Sequence, residues 1–238
     1  MRKLVLVFAV VALAAFSGVA YAADGGHGGG VIEKPVDVAP APPAVIEKIV
    51  EKIGDVVEVA VGAQRPELTD TATSEIASSF GGNSKVASFP TVTATESGRV
   101  VFEVPTTNLV ESLNVSSGYS ASNLVLVLWH RGDVAFTTFR YASSISGSAL
   151  SAAAADPTFT FVDADGNVVT KIEGAEIYPV FDVVDGAPYD RNGSEPGVEI
   201  APAVVDGQSS GGGGGCDAGF SGAALLLLAA GWVVVRKR

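Results

Sequence analysis

Cysteine occurs once in these 238 residues, at Cys216. No disulfide can form within the chain, so a folded part must hold itself by packing and hydrogen bonds alone. Histidine occurs twice, at His27 and His130, which leaves no His/Cys cluster for a metal centre. Basic residues are scarce as well: 15 Lys and Arg face 26 Asp and Glu, a net charge of −11. Loss of the first 22 residues takes Arg2 and Lys3 and makes it −13; loss of everything from Cys216 onward leaves 10 basic and 25 acidic residues, −15. Binding to nucleic acid needs clustered Lys and Arg against phosphate, so nucleic acid is excluded as a partner. No Gly-x-Ser-x-Gly elbow, phosphate-binding loop or dinucleotide glycine pattern occurs. No cofactor is expected.

What is present is concentrated at the two ends. Arg2 and Lys3 precede an apolar run, Leu4–Phe16, too short for a comfortable membrane span. Ala20 and Ala22 then supply the small residues that a signal peptidase grips, which predicts a signal peptide over 1–22 and cleavage before Ala23. At the other end, Ala218–Val235 is 18 residues without a charge, about 27 Å as a helix and close to a hydrocarbon core of about 30 Å. Arg236, Lys237 and Arg238 follow it, and such a basic end stays cytoplasmic. This predicts a transmembrane helix over 218–235, with the body of the chain facing outward.

A glycine stem leads into that helix. The run Gly211, Gly212, Gly213, Gly214, Gly215, Cys216, Asp217, Ala218, Gly219 and Phe220, followed by Leu/Ala and the basic end, resembles the Synerg-CTERM protein-sorting domain, a relative in design of the GlyGly-CTERM and MYXO-CTERM tails. The resemblance covers about the last 30 residues (209–238) and leaves the fold upstream open. It implies a bacterial envelope protein whose tail is recognised and cut by an intramembrane sorting protease. The mature chain would then pass from a transient inner-membrane anchorage to the cell surface or outside. Cys216 would be the motif cysteine; a lone thiol in an exported chain also suggests modification or intermolecular pairing.

Between the ends, residues 23–43 are rich in Gly, then Pro and Ala, and read as an extended linker; His27 belongs to it. Residues 44–82 read as a helical segment. Ile46, Ile49, Val50, Ile53, Val56 and Val57 recur at helical spacing, with Gly54 able to end the helix early. A second short helix over 69–80 has Asp70 as cap, Ile76 and Phe80 one turn apart, and Gly81-Gly82 as its stop.

From 85 to 185 the pattern turns to short strands. They are Arg99–Val104, the nearly continuous apolar run Leu124–His130, its antiparallel return Val134–Tyr141, a hairpin Thr158–Val162 with Val168–Ile172, and Glu176–Val184. Pro179 favours an edge or a bulge. The expectation is a mainly β fold: a small antiparallel β-sandwich of Ig-like architecture, preceded by one or two short helices. Residues 186–215 read as a Gly/Pro/Ser stalk.

Several local patterns invite chemistry. Arg131-Gly132-Asp133 is an adhesion tripeptide but also ordinary turn composition. Asp163, Asp165 and Asn167 alternate as in a calcium loop, yet Gly166 comes two places too early and Gly174 stands where the closing acid belongs; a hairpin turn explains them. His130, with Asp133 across the turn, is the sole histidine for acid–base work and reads as structural. Asp163, Asp165, Asp182 and Asp185 are carboxylates without known geometry.

The function expected is therefore an exported envelope or surface protein displaying a non-catalytic β-sandwich binding module, its surface ligand unknown. An extracellular hydrolase on envelope polymers, and an assembly component pairing through the 46–57 helix, are the alternatives.

Overall fold

The computed structural model describes residues 36–62, 68, 70–81, 84–131, 135–144, 157–193 and 195–207. They belong to the larger of two compact units, which begins at Glu33. The signal peptide, the sorting tail, the 218–235 helix, most of the 23–43 linker and the end of the stalk lie outside the described residues.

The chain opens with β1 (Ala39–Pro40), α1 (Pro43–Ile53), β2 (Val59–Val61), α2 (Asp70–Ser79), β3 (Val86–Ser88) and β4 (Val92–Ala94). Next come β5 (Gly98–Pro105), α3 (Thr106–Leu113), β6 (Tyr119–Ser120), a 3-10 turn (Ala121–Asn123), β7 (Leu124–Trp129) and β8 (Phe136–Tyr141). The last elements are β9 (Thr158–Val162), β10 (Lys171–Ile172), β11 (Glu176–Val183), β12 (Val198–Ile200) and β13 (Pro202–Asp206). The fold is mainly β, with three α-helices among the described residues.

One eight-stranded sheet dominates, in the order β1-β5-β11-β9-β8-β7-β13-β3; small sheets β12-β4-β2 and β10-β6 accompany it. All pairs are antiparallel except β8 with β9, where Arg140 faces Thr158 and Tyr141 faces Phe159. The main sheet is curled. Phe89, just past edge strand β3, packs edge-on against Phe102 of β5 at the other side of the sheet, with ring centres 5.8 Å apart. The Val36 N–H, just before β1, reaches the Ser88 carbonyl of β3 at 3.4 Å. The pairing thus gives a mainly β body built on one curled multi-strand sheet with two small sheets beside it.

Alternation along each strand sorts the side chains. Val100, Phe102 and Val104 of β5, Leu124, Leu126 and Leu128 of β7, Phe139, Phe159 and Phe181 join one core cluster. Its rings meet edge to face, Phe139 with Phe181 at 5.6 Å and Phe159 with Phe161 at 5.2 Å. Residues one place along point to the other face. Val101, Val162, Tyr178 and Val180 pack under α1 through Val45 and Ile49, while Val127, Trp129, Ala203 and Val205 pack under α2 through Ala72 and Ile76. β7 is therefore covered on both faces, as its unbroken apolar run requires.

α1 ends at Ile53 with Gly54 at φ 107°, a left-handed conformation that costs glycine little. The chain beyond is extended, as the sequence suggests. Its apolar stripe turns inward: Val45 and Ile49 are buried against the sheet and Ile46, Val50 and Ile53 are half-buried, so that stripe is not presented for pairing chains. Full burial of one such side chain stabilises by about 1.5–3 kcal/mol.

Three boundaries differ from the sequence reading. The end of the expected linker is structured: Val36 and Val38, alternate residues of this Pro-rich run, face the main core, and Ala41 is buried under α1. The start of the expected stalk is structured too. β13 lies between β7 and β3, with Pro202 opening the strand, a place where the missing N–H is tolerated. Pro179 lies in an interior strand rather than at an edge; the β11–β5 pairing lapses there, between Ile177↔Val104 and Val180↔Val101, and resumes in the same register. The second hairpin is cut short as well. Val162 and Val168 form a single bridge, and Lys171–Ile172 pairs with Tyr119–Ser120 instead.

Candidate functional site

The outer face of β5 and β11 carries two buried charged side chains, Arg99 and Asp182, with Glu103, Glu176 and Tyr178 further along it. Arg99 and Asp182 are direct cross-strand partners, and the register places both beside α1. Arg99 Nε donates to Asp182 Oδ1 at 3.1 Å, and both side chains are only 7% exposed. Arg99 Nη1 donates to the Ile53 carbonyl at 2.7 Å, so the guanidinium also holds the last turn of α1. Next to the pair is a recess of about 20 Å³ lined by Thr158, Thr160, Ser144 and Phe159, room for little more than one water.

Further along the same face, the Tyr178 hydroxyl lies 3.2 Å from Glu176 Oε2 and 3.5 Å from Glu103 Oε2. Burial, and then the charge of Glu176, push the Glu103 carboxyl above its usual range. Burial and both carboxylates push the Tyr178 phenol far up, so it remains a donor at any ordinary pH. Sequence reading passed over Glu103, Glu176 and Tyr178, and Arg99 as well. The available signal was a polar residue recurring at outward positions of strands whose other outward residues are apolar.

The sequence-derived candidates do not converge. Asp163 folds back on its own turn, accepting from the Asp165 and Asn167 N–H groups, both at 2.9 Å, and from Asn167 Nδ2 at 3.0 Å. Burial raises its pKa, but these hydrogen bonds and the Lys52 charge outweigh it and leave the carboxyl below its usual range. Lys48 of α1 pairs with Asp165, and Lys52 Nζ donates to Asn167 Oδ1 at 2.5 Å. Two lysines of α1 thus fasten the helix to this turn. Gly166 has φ +72°, and a Cβ there would stand 3.2 Å from the Lys48 carbonyl, so glycine lets helix and turn approach. Asp182 is bound in the ion pair, and the Asp185 N–H donates to Ser97 Oγ at 2.8 Å in a separate turn.

His130 Nε2 meets Thr137 Oγ1 at 2.8 Å, and burial lowers its pKa; the imidazole is a neutral strand-end residue. Gly132 and Asp133 lie outside the described residues, while the Arg131 guanidinium lies over Gly193, in space that a Cβ there would claim. Among the described residues no group of three or more His, Cys, Asp and Glu could hold a metal ion. None of their helices is long and apolar enough to cross a membrane. Ala20, Ala22 and Ala23, Gly211 to Gly219 with Cys216, and Arg236 to Arg238 all fall outside the described residues.

The densest polar loop, 184–199, is held from within. Asp190 is 3% exposed and accepts from the N–H groups of Gly186 at 2.8 Å, Glu199 at 3.1 Å and Asn192 at 3.3 Å. This carboxylate replaces regular pairing where the chain crosses from β11 to β12.

Comparison with known proteins places no relative beside this arrangement: no protein-family model, curated protein or solved structure matches the chain.

Proposed function

We propose that this chain is an exported bacterial envelope or surface protein that presents a non-catalytic β module for binding. The observation that carries the reading is the order of the C-terminal features: glycine stem, Cys216, an uncharged 18-residue run and Arg236-Lys237-Arg238. An intramembrane sorting protease is the partner that this Synerg-CTERM-like tail calls for, and signal peptidase the partner at the other end. The 218–235 run holds the chain transiently in the inner membrane, body outward, before its release to the surface or beyond.

Presentation rather than turnover is supported by what the carboxylates are used for. Of the four candidate carboxylates, Asp163, Asp165 and Asp182 satisfy a turn, a lysine and an arginine, and Asp185 lies in a separate turn; Asp190, which was not among them, accepts from backbone N–H groups. A hydrolase would want two carboxyls facing one open cleft. We take the module as sandwich-like in use, the opposed parts of the curled sheet serving as its two layers and its loops as the binding surface.

Fractionation of producing cells, with intact mass and terminal sequencing of the native protein, tests this. A body found in the outer envelope or medium, beginning at Ala23 and cut near Cys216, is the expected result. Full-length chain resident in the inner membrane of unperturbed cells would refute it.

A further inference from the structure

We infer that residues 36–41 form an exchangeable closing stave, and that the seam they fill accepts the same segment of a second copy of this chain. The inference stands on the fold alone and does not rest on the export reading.

The main sheet curls but does not close by itself. Within the sheet, the gap between its edges, β3 and β5, is bridged by one short piece of chain, while α3 packs across both edges through Leu109 and Leu113. On one side Ala39 and Pro40 pair with Glu103 and Phe102 of β5. On the other, the Val36 N–H reaches the Ser88 carbonyl at 3.4 Å, at the long limit of hydrogen bonding. Between these contacts Val36 and Val38, both buried, join the core cluster that contains Phe89 and Phe102. Val36 and Val38 thus alternate into the core as in a strand, while Ala41, out of that phase, joins the cluster under α1; the piece is held by very little backbone pairing. Pro40 has no N–H to give. β8 and β9 also pair briefly, but β8 is held by β7 and β9 by β11 over most of their lengths; the stave has no such second partner.

Behind the stave the chain is fixed. The N–H groups of Val45 and Ile46 bond the Pro42 carbonyl at 2.9 and 3.0 Å. α1 is seated by Val45 and Ile49 and clipped by Lys48 to Asp165 and Lys52 to Asn167. Opening the seam therefore needs a swing about Ala41-Pro42 that lifts Ala41 from the cluster under α1 and breaks the Asn108 Nδ2 donation to Asp37 Oδ2 at 3.4 Å, with the helix itself left in place. An opened seam shows two strand edges and the apolar groove between them, which is where an incoming strand adds. The one sequence whose fit to this groove the structure displays is the chain's own Val36-Asp37-Val38-Ala39-Pro40-Ala41, and a second copy carries it. A stave of six residues reaches about 20 Å. Reciprocal exchange therefore requires the two seams to face each other across a two-fold axis.

Ala39 and Glu103 are register partners, which suits a cross-strand disulfide. The test uses the full chain kept in detergent, whether or not its ends are cut, with Ala39→Cys, Glu103→Cys and Cys216→Ser. After incubation at a series of protein concentrations and gentle oxidation, the expected product is a dimer linked by 39–103 disulfides between copies, beside internally linked monomer. While monomer dominates, a tenfold rise in concentration should raise the dimer-to-monomer ratio about tenfold. Oxidation in dilute solution should lock the monomer, and reduction should restore exchange. Internally linked monomer at every concentration would overturn the inference. So would dimer formed equally well by either single-cysteine variant, since that marks collision rather than exchange. As a readout that needs no new cysteine, light scattering of the Cys216→Ser chain should show a concentration-dependent dimer, and a strict monomer there would overturn the inference equally.

Discussion

Two helices cover the outer face of the same sheet, and they do so by different means. α1 lies over a mixed surface: Ile49 is fully buried, but the helix is also fastened by Arg99 to the Ile53 carbonyl, by Lys48 to Asp165 and by Lys52 to Asn167. α2 lies over Val86, Val127, Trp129, Ala203 and Val205 with Ala72 and Ile76, and its serines mostly serve itself, Ser78 and Ser79 returning to carbonyls one turn back. Its floor even contains an orphan: Trp129 is wholly buried and its Nε1 has no hydrogen-bond partner among the described residues. The contrast teaches that position under α1 depends on directional polar contacts, whereas the α2 side is held by apolar fit. An unpaired N–H beneath α2 costs about 1–3 kcal/mol, which stacking of Trp129 on Phe136 at 5.5 Å helps to offset.

The largest test strikes the buried pair. Asp182→Ala leaves the Arg99 guanidinium enclosed without its counter-charge and should cost about 3–5 kcal/mol in urea unfolding, whereas replacing both by apolar residues (Arg99→Met with Asp182→Leu) should cost much less. A loss no bigger than that of a surface change would mean that the α1 side is not organised by this pair. Next come the two anchors. Ile49→Ala and Ile76→Ala should each cost about 2–5 kcal/mol. Because they sit in separate clusters, the double variant should add to within about 0.5 kcal/mol; strong coupling would join the two regions into one.

Smaller still is the acid response of the α1 clip. The Asp163 pKa is depressed, so its contribution is present above the ordinary aspartate range and fades as pH falls through the depressed value. Asp163→Asn should flatten that acid limb of the stability curve. The least effect is expected from Lys48→Ala, since Lys48 and Asp165 are both more than half exposed and salt screens such pairs. Its pKa is raised by the hydrogen bond and charge of Asp165. Its contribution is therefore fully present below the ordinary lysine pKa and lost as pH rises through the raised one. Hydrogen exchange of α1 amides in strong alkali should speed up while α2, which carries no lysine, responds less.

Legibility followed the same division. α1, α2, β5, β7 and β8 were visible because period and turn residues agree along each of them. The stop at Gly54 was visible for the same reason. The stave at 36–41 and β13 at 202–206 were not, since Pro40, Pro42 and Pro202 give both segments the composition of linker. Only distant strands supply the edges that make them strands. Arg99–Asp182 and Glu103–Tyr178–Glu176 were hidden because cross-strand register is set by the whole sheet. Asp163 and Asp165 stood out in the sequence, yet their bonds run to their own turn and to α1, more than a hundred residues earlier.

By itself the sequence determined what local pattern can encode: a β-rich body without disulfides, two short helices, an acidic surface and the chemistry of both termini. Tertiary structure alone decided which strands are neighbours, where the curled sheet is closed and which carboxylates are already committed. The reason is physical. Helical period and turn preference act over a few residues, whereas the partner of a strand edge or a buried charge is fixed only when segments far apart in the chain are brought together to exclude water.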